Sequence, residues 1–163
     1  MTFSNYKEFI DQIIHKLELL GISTSELKID HIGYQASSEK DFDEKTAELS
    51  LRGEIIHDVN VGKKRVAIFK LSKPLDYKGQ KISAVEIVSS PTKKEVDSDW
   101  EHVELIPDVS LEEFMKKYPD ITWDASVMDR DIFPMLVLKL DNKTRAKFPR
   151  RSVLEEVARL KKQ

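Results

Sequence analysis

The feature that most restricts this chain is an order of elements that occurs twice. From Leu27 the sequence reads strand, helix, strand, strand, strand, and from Trp100 it reads the same again. In the first module LKIDHIGYQ (27–35) alternates as a strand, with Leu27, Ile29, His31 and Gly33 sharing one parity. Ser37 and Ser38 open a helix that runs to about Arg52 and ends at Gly53, with Phe42, Thr46 and Leu49 inward. GEIIHDVNV (53–61), RVAIFKL (65–71) and KISAVEIV (81–88) follow as strands, punctuated by Gly62 and by Lys78-Gly79. In the second module WEHVELIP (100–107) is the first strand. A capping box, Ser110 with Glu113, opens a helix that stops before Pro119. ITWDASVM (121–128), PMLVLKL (134–140) and TRAKFP (144–149) complete it as strands, with Asp141-Asn142 as the last turn.

Helices flank the repeat. Tyr6, Phe9, Ile10, Ile13, Ile14, Leu17 and Leu20 recur at helical spacing over 4–20, with Ser4 as cap and Gly21 as left-handed stop. A second capping box, Ser152 with Glu155, opens a closing helix through Leu160. The expected organisation is one α+β domain: an N-terminal helix (1–26), a βαβββ module (27–88), a polar linker (89–99), a second βαβββ module (100–149) and a C-terminal helix (150–163).

Composition narrows the function. The 163 residues hold 27 Lys plus Arg against 29 Asp plus Glu, a net charge of −2, so no basic excess is available to neutralise a phosphate backbone. Cysteine is absent, which excludes disulfides, thiolate metal sites and cysteine nucleophiles. No apolar stretch reaches membrane-spanning length and MTFSNYKEF does not read as a signal peptide, so the expectation is a cytoplasmic chain. The expected partner is a small molecule, with neither nucleic acid nor membrane, and the chain is expected to be a monomer or homodimer.

Three polar residues stand where a core strand should be apolar. His31 and His102 each lie in the middle of the first strand of a module, 71 residues apart. Glu86 stands in AVEIV, a strand apolar on both faces. A buried carboxylate without a partner costs several kcal/mol or takes up a proton, so it calls for a cation: Arg65 or Lys70 of the preceding strand, or a metal ion. Two imidazoles and one carboxylate form a donor set for zinc, nickel, manganese or iron. His15, beside Gln12 and Lys16, reads as a solvated helix residue. His57, between Ile56 and Asp58, reads as a surface-facing strand residue.

Two βαβββ modules with a histidine on the first strand of each and a glutamate on the fourth resemble the vicinal oxygen chelate superfamily, which includes glyoxalases, extradiol dioxygenases and bleomycin-resistance proteins. More narrowly, DHIGYQ, IFKL, VEIV, DWEHVEL and KFPRRS, over about 27–152, look like the YecM family of bacterial proteins. The resemblance implies an incomplete eight-stranded, cup-like barrel with a divalent metal at its centre, held by His31, Glu86 and His102. The superfamily places a fourth ligand on the last strand of the second module, but TRAKFP offers neither glutamate nor histidine. Laid against KISAVEIV, it sets Phe148 opposite Glu86, and Pro149 stands where YecM-like chains carry histidine. Glu104, of suitable parity beside His102, could replace that ligand; water is the other substitute, and loss of the metal a third outcome.

The function implied is a metal-dependent isomerase, lyase or dioxygenase acting on a small oxygen-rich substrate. Glu104 would be the general base if it is not a ligand, and Arg65 and Lys147 (with Lys139) would hold an anionic substrate. The alternative is a metal-free binding module in which Glu86 pairs with Lys147.

Overall fold

The fold is seen in a computed structural model, which describes residues 3–89 and 98–163. The linker expected over 89–99 falls mostly on residues outside that range. After a 3-10 turn at Phe3–Asn5, the elements are α1 (Tyr6–Leu19), β1 (Leu27–Ala36), α2 (Glu39–Ser50), β2 (Gly53–Val61), β3 (Lys64–Tyr77), β4 (Gln80–Ser89), β5 (Asp99–Pro107), α3 (Leu111–Lys117), β6 (Met135–Lys139), β7 (Arg145–Pro149) and α4 (Val153–Lys161). No helix among the described residues is long and apolar enough to cross a membrane.

Local chemistry explains most of these boundaries. Ser38, Ser110 and Ser152 each accept a hydrogen bond from the backbone N–H three residues on, which caps α2, α3 and α4. The cap of α1 is Asn5 rather than Ser4, and the Asn5 side chain serves tertiary packing instead, accepting from the Trp100 indole. Gly21 follows α1 at φ +83°. Lys78 and Gly79 both have positive φ and form the two-residue turn between β3 and β4 that matches strand twist.

One curled, unclosed sheet joins both modules in the order β2-β3-β4-β1-β5-β7-β6. The first strands meet at its centre: β1 runs antiparallel to β5, while β4 and β7 run parallel to their own first strands. The expected α+β cup stands, with seven strands in place of eight. The missing one is ITWDASVM, which pairs with β6 only through an isolated bridge, Asp124 to Val137, and a further hydrogen bond from the Met135 N–H to the Val127 carbonyl. Its polar side chains bond locally instead: Asp124 accepts from the Ser126 N–H, and Met128 N–H closes a turn onto Ala125.

Helices α1, α2 and α3 cover the convex face. Phe9, Ile10, Ile13 and Leu17 of α1, Phe42 of α2 and Phe114 of α3 share one core with Ile32, Phe69, Val103 and Phe148. At about 25 cal/mol per Å² of apolar surface, this layer is the main source of stability. The concave face is only partly covered. Val153 and Val157 of α4 pack there on Ile68 and Ala84, with Phe133 of the 121–134 segment beside them. Buried Glu156 of α4 fastens that segment by accepting from the Phe133 N–H and pairing with Arg151 and Arg159. What stays uncovered is a cavity of about 390 Å³.

Candidate metal centre

Strand register brings four donor side chains to the concave face. His31 lies opposite Glu104 and Gly33 opposite His102 across β1–β5, and Gly33 lies opposite Glu86 across β1–β4. Directly paired residues point to the same face, so His31, Glu86, His102 and Glu104 converge at one spot. Their donor atoms lie within 4.8 Å of one another. Both imidazoles are fully buried, and Glu86 and Glu104 expose their edges to the cavity.

Two β-bulges aim the histidines. Between Ile29 and His31, β1 advances two residues while β5 advances one, which makes Asp30 the extra residue. Between Gly33 and Tyr34 the roles reverse, and Glu101 is the extra residue on β5. A bulge re-aims the side chains that follow it. Ile29 and Trp100 thus stay in the convex core while His31 and His102, two residues on, face the cavity. The shared parity expected from simple alternation fails for this reason. Each bulged acid also turns towards its neighbour's ring. Nδ1 of His31 donates to Asp30 Oδ2 at 2.8 Å, and Nδ1 of His102 lies 3.7 Å from Glu101 Oε1. The Asp30 carboxylate on Nδ1 fixes the His31 ring so that its Nε2 is free to bind a metal, whereas Glu101 only approaches the His102 ring without a hydrogen bond. Asp30 Oδ2 in turn accepts from the Val153 N–H at the first turn of α4, and Glu101 accepts from Arg145 at 3.2 Å.

Gly33 makes the room. A Cβ there would lie 2.0 Å from Cε1 of His102, so the ring occupies the space a side chain would fill.

The cluster fits a metal ion on its own geometry. Two donors about 2.1 Å from a tetrahedral ion stand about 3.4 Å apart. His31 Nε2 to Glu86 is 3.5 Å, His102 Nε2 to Glu104 is 3.6 Å and His102 Nε2 to Glu86 is 3.8 Å; only His31 Nε2 to Glu104, at 2.8 Å, is closer. Even that close pair is misaligned for hydrogen bonding. Nε2 of His31 and both ring nitrogens of His102 are buried without a hydrogen-bond partner among the described residues. Each such atom costs about 1–3 kcal/mol, and the two Nε2 atoms face the same carboxylates.

The electrostatics have the same sense. Burial pulls His31 down, but Glu104, Asp30 and Glu86 outweigh it and hold the ring well above its ordinary value. Burial and then Lys147 pull His102 down, and Glu101 with Glu104 still raises it. Burial pushes Glu104 up, yet the facing His31 charge holds it well below the carboxylate range; Glu86 is lowered likewise, His31 and His102 overcoming burial. The two carboxylates thus favour positive charge at the cluster, whether from ring protons or from a metal ion.

The other sequence-predicted residues divide. Lys147 lies opposite Glu104 on β7 and lines the cavity. Arg65 does not: it shares the convex parity of Ala67 and Phe69, pairs with Glu39 and Asp43 of α2, and stacks 4.3 Å from the Phe42 ring centre. Lys139 is exposed outside the cavity. Phe148 is not the counterpart of Glu86. Glu86 faces Gly33, and the position of β5 equivalent to Gly33 is Glu104, whose partner on β7 is Lys147. Phe148 faces the convex core, in contact with Phe114 and Trp123. Two cavity residues were missed: Arg145, opposite His102 and signalled by the same alternation as Lys147, and His57, which is half-buried and lines the cavity.

The fold is shared with known structures. A structural-genomics protein, EC4020, superposes with a TM-score of 0.76 at 22% identity, covering 93% of this chain and 87% of that one. The hypothetical protein BH1468 from Bacillus halodurans C-125 superposes with a TM-score of 0.52 at 14% identity, over 77% of this chain and 95% of its own. In sequence, an uncharacterized protein of Haemophilus influenzae is 26% identical over 113 residues, 67% of this chain and 59% of that protein's length. The YecM protein family matches residues 1–147, a span that takes in all four donors and both bulged acids, and the chain belongs to that family.

Proposed function

We propose that this chain is a divalent-metal protein on the vicinal oxygen chelate plan, with His31, Glu86, His102 and Glu104 as ligands. The single observation that carries this reading is the pair of buried Nε2 atoms, unpartnered and aimed at two carboxylates at the floor of a cavity. Zinc, nickel, manganese and iron all suit the donor set.

The reading goes on to an enzyme of the isomerase, lyase or dioxygenase type, acting in the cytoplasm on a small oxygen-rich acid. A bound ion would supply Lewis acidity to the oxygens of that acid. The rest falls to the chain. Lys147 and Arg145 line the cavity on the β7 side and attract an anion; Val59, Val66 and Val88 offer an apolar wall across from them. Glu104 serves as fourth ligand rather than as a separate base, because its carboxylate lies within the donor cluster. The rival metal-free module needs a Glu86–Lys147 ion pair. Among the described residues Lys147 has no carboxylate within 4 Å.

Metal content tests the reading. Protein purified without an affinity metal or chelator is expected to carry about one divalent ion per chain, lost in the His31→Ala, His102→Ala variant. No metal in either protein after reconstitution would overturn it.

A further inference from the structure

A proton acceptor that belongs to neither the donor cluster nor the exposed surface stands at the other side of the cavity. Cross-strand register lines up His57 of β2, Ile68 of β3, Glu86 of β4, Gly33 of β1, His102 of β5 and Arg145 of β7. Paired residues share a face, so this row crosses the concave surface with the cluster at its middle, His57 at one end and Arg145 at the other. Two strand spacings separate His57 from Glu86, about 10 Å between backbones. The imidazole is half-buried and lines the cavity, where its ring meets Phe133 edge-on at 5.4 Å between centres. It has no hydrogen bond or ion pair among the described residues.

Its competitors are committed. Glu86 and Glu104 belong to the cluster, Glu101 is shared between His102 and Arg145, and Asp124 is exposed and accepts from the Ser126 N–H. Lys64, Arg130, Arg145 and Lys147 are cations. Among the described residues lining the cavity, His57 is the uncommitted base.

We propose that His57 takes the proton from a small acid bound in the cavity, which deepens the metal reading above and rests on it. In the step, the acid's O–H or C–H bond breaks, its electron pair stays on the acid as an anion, and the proton joins the ring nitrogen of His57 that faces the cavity. The anion is left facing Arg145 and Lys147, and the imidazolium is left two strands from Glu86, whose charge favours it. The ring enters the step neutral, because burial lowers its affinity for a proton; Glu86 raises it, Lys161 of α4 lowers it and Asp58 of its own strand raises it. Arg130, donating to the Phe133 carbonyl, and Asp124 are the charged residues of the 121–134 segment at the cavity.

Acetohydroxamic acid is a suitable probe: it is neutral near pH 7 and binds metal ions as its anion, so each binding event frees a proton. The zinc-loaded chain and its His57→Asn and His57→Gln variants would be titrated with the probe in buffers of different ionisation enthalpy, after zinc content is shown equal in all three. The expected result is about one proton more per chain delivered to buffer by either variant than by the native chain. In the native chain, ring nitrogen-15 shifts should show His57 becoming protonated as the probe binds. Equal proton counts with an unmoved His57 spectrum would overturn the proposal, as would zinc-loaded protein that does not take up the probe. Failure to load zinc at all would instead strike the metal reading, and this inference with it.

Discussion

The two halves of the sheet solve one problem with different residues. Each has a first strand in which an acid precedes a histidine, Asp30-His31 and Glu101-His102, and in each the acid is the bulged residue. Beyond that they diverge. The first half places its carboxylate on the fourth strand, Glu86, beside Gly33. The second places a cation there, Lys147, and moves its carboxylate one strand over to Glu104, in the position that glycine fills in the first half. The lesson is that a donor set need only converge in space. A carboxylate can change strands when a directly paired residue lies on the same face.

That correspondence can be broken or sharpened. The largest effect is expected from Gly33→Ala, which puts a methyl group into the His102 ring. Overpacking costs about 1–3 kcal/mol, and displacing a ligand should weaken metal binding by more than about 100-fold; thermal unfolding and zinc titration read the two. Next, Glu104→Ala should cost at least about 100-fold in zinc affinity, since a lost ligand outweighs a lost outer-shell partner. Adding Lys147→Glu restores the pattern of the first half and should recover most of the loss. A double variant no tighter than the single one would show that the halves are not interchangeable. Third, Asp30→Asn should weaken zinc by about 10–100-fold and Glu101→Gln by less, because the contact to His31 is 2.8 Å and that to His102 is 3.7 Å. Equal losses would make the bulges equivalent.

The smallest effect is the linkage to pH. His31 and His102 are both raised by the facing carboxylates, and a metal binds the neutral rings, so metal binding should release protons. Affinity should therefore climb with pH until the raised values are passed, measured by calorimetry in two buffers. In the metal-free chain the histidine contribution to stability is complete below the ordinary value of 6.5 and lost as pH rises through the raised values. The Glu104 contribution is present above 4.5 and lost as pH falls through its lowered value. Unfolding temperature should form a plateau between those limits, and zinc should remove the alkaline fall.

Much of this was legible in the sequence, for identifiable reasons. The bounds of β2 coincide with GEIIHDVNV, because Gly53 and Gly62 flank it, and the serine caps of α2, α3 and α4 read directly because their chemistry is local. His31, Glu86 and His102 stood out because polar atoms in apolar strands need a partner. What failed was whatever depended on register. Alternation cannot reveal a bulge, so Ile29 and Trp100 were assigned the wrong faces; it set Phe148, not Lys147, against Glu86 and sent Arg65 to the cup. His57 looked like surface because Phe133, whose ring packs edge-on against it, arrives from about 75 residues downstream. ITWDASVM has strand-like apolar spacing, but Asp124 and Ser126 offered the backbone a local alternative.

The hydrogen bond from Val153 to Asp30 carries a last consequence. One carboxylate oxygen is shared between the foot of the closing helix and the ring that orients the floor of the cavity. Prying that helix away would leave the acid free to swing and the imidazole free to rotate. The end of the chain is thus wired to its most buried chemistry, and a dye placed on the helix would report what happens beneath it.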